Sequence, residues 1–265
     1  MAKQTGLYSI RGKVGDYKYY GMKGVNGTVM AKQNEGMSSR VKTSAEYANT
    51  RLNNAEFGAA GNMAGTIVRA LTQRWRCVTI AFATAKFLPS IKKAMAQDTS
   101  NPWGQRTLTG TAWQDGMREN ITALSKNSFA EMIGILLSAT INSQQKIALE
   151  GAGIIAQSDF LEGRGIDGVD VDFTPIRVNA PEYDENIEGY TPALLASGET
   201  VSDTLELHDS NEVSKVLDLK GAKLDGTKVI AGVLVVAKPY RMVSGEKYYA
   251  QELCSHQVVK INQTA

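Results

Sequence analysis

The run from Val229 to Val236, VIAGVLVV, constrains the fold of this chain more than any other segment. A continuous apolar, β-branched stretch reads as a strand buried on both faces. Such a strand needs a sheet around it, and residues from about 165 onward read as one. Residues 166–173 alternate, and 213–219 are apolar. Ser244-Gly245-Glu246 separates the central run from residues 248–253 as a hairpin turn would. Residues 258–261 are expected to close the sheet. Residues 131–141 leave helix and buried strand open. The stretch 159–212 carries 14 acidic and 2 basic residues with three prolines, and is expected to hold long solvated loops between strands.

Upstream the pattern changes. Leu52, Ala55, Phe57, Ala60, Met63, Ala64, Ile67, Val68 and Leu71 recur at three- and four-residue steps, which predicts a helix, with Ser44, Glu46 and Tyr47 marking its start. Gly58, Gly61 and Gly65 weaken that helix by about 1 kcal/mol each relative to Ala, which suits close approach of a partner helix. Pro89 suits the start of a further short helix carrying Lys92 and Lys93. Residues 98–113 read as a loop, and 114–126 as another helix. Before all of these, residues 1–34 alternate between aromatic or β-branched positions and glycines, as short strands or an extended arm do. The expected fold is α+β: a basic arm or β-hairpin over 1–34, a mainly helical region over 35–130, and an acidic, antiparallel β-sandwich-like domain over 131–265.

Charge follows the same order. Residues 1–106 hold 16 Lys/Arg against 5 Asp/Glu, and 107–265 hold 13 against 22, so the total of +2 joins a basic front to an acidic back. Complementary fields on one chain favour head-to-tail association. In the front, Arg11, Lys13, Lys18, Lys23 and Lys32 interleave with Tyr8, Tyr17, Tyr19 and Tyr20. Cations beside rings suit single-stranded nucleic acid or a neighbouring subunit. Arg69, Arg74 and Arg76 form a second basic cluster, an acceptor for a neighbour's acidic half or a solvated helix face.

Catalytic signals are weak. Gly151, Gly153 and Ala156 spell G-x-G-x-x-A, but the residues before them do not read as a buried strand, so a glycine turn is the simpler reading. Asp167, Asp170 and Asp172 could bridge a hard cation such as Ca²⁺, since Asp170 and Asp172 share a strand face, yet the EF-hand order is absent. His208 and His256 stand away from any zinc spacing. No nucleophile elbow or P-loop occurs. No catalytic residue, metal site or cofactor is expected. Cys77 and Cys254 read as buried thiols or as a single bridge. The first residues lack a signal-peptide pattern, and the longest apolar stretch falls short of the roughly 20 residues a spanning helix needs. A soluble chain made in the cytoplasm is expected, with no membrane partner.

The segments AKQTGLYSIRGKVGDYKYY, RLNNAEFGAAGNMAG, DTSNPWGQR and VIAGVLVVAKPYRMVSGEKYYAQEL occur in that order. Together they resemble a family of bacterial and prophage-borne proteins. Its members open with a Gly-Lys-Gly-type strand pair, continue with a Thr-Arg-x-Asn-x-x-Glu-Phe-Gly helix and end in a β-hairpin. Thr50, Arg51, Asn53, Glu56, Phe57 and Gly58 match the helix motif. The resemblance implies a phage-associated structural role with no assigned catalytic residues. The expectation is a virion structural protein, capsid or capsid-associated, made in the host bacterial cytoplasm. It would act as a homo-oligomer or with other virion proteins, and its N-terminal region could contact the genome. The alternative is a cytosolic module that binds single-stranded nucleic acid without assembling.

Overall fold

A computed structural model describes residues 2–4, 10–22, 26–32, 36–72, 83–108, 112–125, 127–133, 136–142, 146–154, 161–207, 210–218 and 229–263. The chain is α+β and divides into two compact units, Met1–Leu52 and Asn53–Ala265.

The first unit contains a four-stranded antiparallel sheet in the order β1 (Ala2–Gln4), β4 (Thr28–Lys32), β3 (Tyr17–Gly21), β2 (Gly12–Val14). Gly15, at φ +57°, supplies the left-handed residue of the turn between β2 and β3. Helix α1 (Met37–Thr43) and a 3₁₀ turn (Ala45–Tyr47) follow. Arg51 then fastens the entry to α2 (Ala48–Ala70) by donating to the carbonyls of Val41 and Ser44.

The second unit is built around β13 (Val229–Val243), which the β-branched run opens. Its residues from Val233 to Ala237 are all buried. The sheet runs β10 (Leu194–Ser197), β7 (Gly168–Asn179), β13, β15 (Ser255–Gln263), β5 (Leu136–Ile141), β6 (Lys146–Ile154), β12 (Ser210–Asp218). β11 (Val201–Glu206) pairs with β7, and β14 (Glu246–Tyr249) pairs with β13 in the expected hairpin. Among the described residues, all strand pairs are antiparallel except β15 with β5. β15 therefore lies inside the sheet, where residues 258–261 were expected to close it.

Alternation on β13 separates two cores. Val233, Val235 and Ala237 join Val171 and Phe173 of β7 and Ile147 and Leu149 of β6 on the concave side. Leu234 and Val236 join Ile176 and Val178 against α2, α3 (Ala83–Met95) and α4 (Ala112–Thr122) on the other. The helices and the β-rich back of the chain thus share one hydrophobic core. The ends of the sheet curl toward each other. Lys215 of β12 reaches Asp203 of β11 at 2.8 Å. Gly198 sits so close to the Asp218 carbonyl that a Cβ there would collide with that oxygen.

Two local expectations need correction, and the open reading of residues 131–141 is resolved. Pro89 lies inside α3 and does not begin it. The stripe Ala83, Phe87, Ile91, Met95 is buried along its whole length, and that burial offsets the hydrogen bond that proline removes. Residues 146–154 form strand β6, and Gly151 and Gly153 pair within it, so the G-x-G is neither a turn nor a strand-to-helix loop. Residues 131–141 divide: a single turn α5 (Phe129–Met132), capped by the Ser128 side chain, precedes strand β5. The acidic stretch 159–212 holds strands β7, β10 and β11 besides its loops.

Candidate interaction surface

The basic residues of the first unit are arranged by strand register. Lys13 lies directly opposite Lys18, and both side chains are exposed. Tyr20, two residues along β3, shares their face. Tyr17, Tyr19 and Lys32 occupy the opposite face with Val14 and Met30. Exposed Val14, Tyr17 and Met22 add apolar area to the unit. The guanidinium of Arg11 lies against Gly21. Arg69 is exposed near the end of α2 in the second unit. Lys23, Arg74 and Arg76 lie outside the described residues, as do His208 and Cys77.

The aspartate cluster is occupied by the protein itself. Asp170 is 8% exposed. Its Oδ1 accepts from Lys247 Nζ at 2.7 Å and Thr204 Oγ1 at 2.8 Å, and its Oδ2 accepts from the Tyr249 hydroxyl at 2.7 Å. Burial pushes its pKa up, but the bonds from Lys247, Tyr249 and Thr204 outweigh this and lower it. The bond to Asp170, with burial, pushes Tyr249 up to about 12, so its hydroxyl keeps its proton at neutral pH. Asp172 accepts from Ser202 at 2.7 Å and pairs with Lys238 at 2.7 Å. Asp167 accepts from the backbone N–H of Met242 at 2.6 Å. Asp170 and Asp172 do share a strand face, but two ammonium groups stand where a cation would. Among the described residues no group of three or more His, Cys, Asp or Glu is placed to hold a metal.

Two carboxylates in the helical half went unseen as a unit in the sequence. Glu56 on α2 is 2% exposed. It accepts from the Gly104 N–H at 2.8 Å and from Arg106 Nε at 2.9 Å. Asp98 accepts from the N–H groups of Ser100, Asn101 and Thr107 and from the Asn101 side chain. Burial opposes ionisation there, yet the Asn101 amide and the three backbone donors hold its pKa at about 2. The segments RLNNAEFG and DTSNPWGQR, far apart in sequence, thus meet as one latch. The Asp-x-x-Asn pattern was the available signal, since Asp favours turns that bond its own following backbone. His256 is buried and bonds the Ile121 carbonyl at 2.8 Å through Nε2, which therefore carries a proton. Burial lowers its pKa.

Beside α2 lies a cavity of about 350 Å³. Asn54, Gly58 and Asn62 form one wall, and Tyr190, Thr191 and Pro192 the other. Asn62 Oδ1 accepts from the Ala193 N–H at 2.8 Å, and the Tyr190 hydroxyl donates to the Arg106 carbonyl at 2.8 Å, so both walls are held from behind. No helix among the described residues is long and apolar enough to cross a membrane.

No family model and no curated protein matches the chain. Among solved structures it is similar to the crystal structure of Spo0M, a sporulation control protein from Bacillus subtilis, at 9% identity and a TM-score of 0.25. That likeness covers 49% of this chain and 48% of the other, about half of each, and carries no argument about function. The resemblance to the prophage-borne family rests on the sequence segments alone.

Proposed function

We propose that this chain is a structural subunit of a bacteriophage particle, capsid or capsid-associated, made in the host cytoplasm and incorporated by self-assembly. The face formed by Lys13, Lys18 and Tyr20 carries this reading. Two exposed ammonium groups on one strand face, next to a tyrosine ring, present a positive surface complementary to an anionic partner. The contrast between the units supports it. Residues 1–52 hold 9 Lys/Arg against 3 Asp/Glu, and residues 53–265 hold 20 against 24. A small basic unit and a larger acidic unit on one chain suit repeated heterologous contacts, which build rings, shells or filaments.

Deletion of residues 2–34 tests the proposal. The truncated chain should keep the circular-dichroism signature and cooperative melting of the second unit while losing particles by negative-stain microscopy. Normal particles from the truncated chain would sink it. The same face also favours a second reading, a module for single-stranded nucleic acid, because cations flank a ring able to stack on a base. That reading requires monomers whose binding to single strands falls steeply with salt.

A further inference from the structure

The α2 face bearing Asn54, Gly58 and Asn62 has room that no described residue fills. A Cβ at Gly58 would meet nothing within 4 Å. Gly61 differs, since a Cβ there would rest 3.6 Å from Leu88 of α3. Packing inside the chain thus accounts for Gly61 and leaves Gly58, with its helix penalty of about 1 kcal/mol, open onto the cavity. Strands β8 (Tyr183–Asp184) and β9 (Gly189–Tyr190) form a two-stranded hairpin that supplies Tyr190 to the far wall. Its turn exposes Glu185, Asn186, Ile187 and Glu188, with Ile187 61% exposed. Residues 182–190 contain four carboxylates and no Lys or Arg. The groove thus has uncharged, preformed walls, and the hairpin that supplies one of them carries Glu185 and Glu188 exposed in its turn.

The chain carries a complement to this groove. Its first unit has a balance of +6, and Lys13 and Lys18 stand exposed directly opposite each other on one face of its sheet. We propose that the groove between α2 and the β8–β9 hairpin receives the N-terminal sheet of a second copy of this chain. The inference rests on the assembly reading and names its receiving surface. Each copy would offer one sheet and one groove, so the contact is heterologous and propagates from copy to copy.

Paired charge reversals test it on the full-length chain. One variant carries Glu185→Lys and Glu188→Lys, and the other Lys13→Glu and Lys18→Glu. All four positions are exposed, and circular dichroism checks that both variants fold. Sedimentation should show each variant alone self-associating at least about tenfold more weakly than the parent. An equimolar mixture should regain association, because each reversed sheet then faces a reversed groove. Association of the groove variant equal to the parent, or a mixture no better than its components, overturns the groove as the receiving surface while the assembly reading stands. A parent chain that stays monomeric at high concentration overturns the assembly reading and this inference together.

Discussion

At the scale of single residues, buried ionisable groups carry the clearest consequences. Asp98 satisfies three backbone donors in the loop over residues 98–108. Replacing it by Ala leaves the buried Thr107 N–H and the part-buried Ser100 and Asn101 N–H groups without their acceptor, and urea denaturation at pH 7 should show a loss of about 2–4 kcal/mol. The native chain should report the same residue through pH. Asp98 has a pKa of about 2 in the fold against an ordinary value of 3.8. Its stabilisation is complete above 3.8 and fades as pH falls through about 2, a loss of about 2 kcal/mol that Asp98→Ala should lack. His256 acts in a higher window. Its pKa is lowered by burial, so stability is full above its ordinary 6.5 and declines as pH drops below that value. In Asp170→Ala, Lys247 and Tyr249 lose their shared acceptor. Hydrogen exchange of the β14 amides should quicken at least about tenfold while the β15 amides stay protected.

At the scale of elements, two glycines make opposite predictions. At Gly198 an added methyl would collide with the Asp218 carbonyl and with Pro175, where the ends of the curled sheet meet. Gly198→Ala should lower the melting temperature by several degrees, consistent with a strain of about 1–3 kcal/mol. At Gly58 the space is open and the backbone helical, so Gly58→Ala should stabilise the fold by about 1 kcal/mol. The same methyl intrudes into the groove and should weaken self-association. Thermal melts and sedimentation on one sample separate the two effects. α3 illustrates a different balance. A proline that would end an isolated helix is retained within one, because four buried residues one turn apart anchor it on both sides.

At the scale of the whole molecule, the units divide at Leu52 and Asn53, within the front half of the chain. Helices α2 to α4 are basic or mixed in sequence, yet they cover one face of the acidic sheet. Counted by unit, the balance is +6 over residues 1–52 and −4 over residues 53–265. Association driven by this contrast should weaken as salt rises from 50 to 500 mM, because exposed charges are screened over a Debye length that shrinks from more than 10 Å toward a few ångströms. Scattering that does not change over that range would count against electrostatic docking.

Local pattern specifies the elements whose residues are alike at every relevant position. The two-sided burial of β13, its hairpin with β14 and the long α2 follow from local pattern, because periodicity and turn chemistry act over a few residues. Asp170 and Asp172 could be placed on one face for the same reason. Their ammonium partners could not be seen, since Lys247 is 77 residues from Asp170 in the chain and reaches it only through the pairing of β7, β13 and β14. The parallel pairing of β15 with β5, the latch joining Glu56 to residues 104–106, and the groove beside Gly58 are likewise tertiary. Each joins segments whose own preferences are silent about one another, and only the shared burial of apolar surface brings them together.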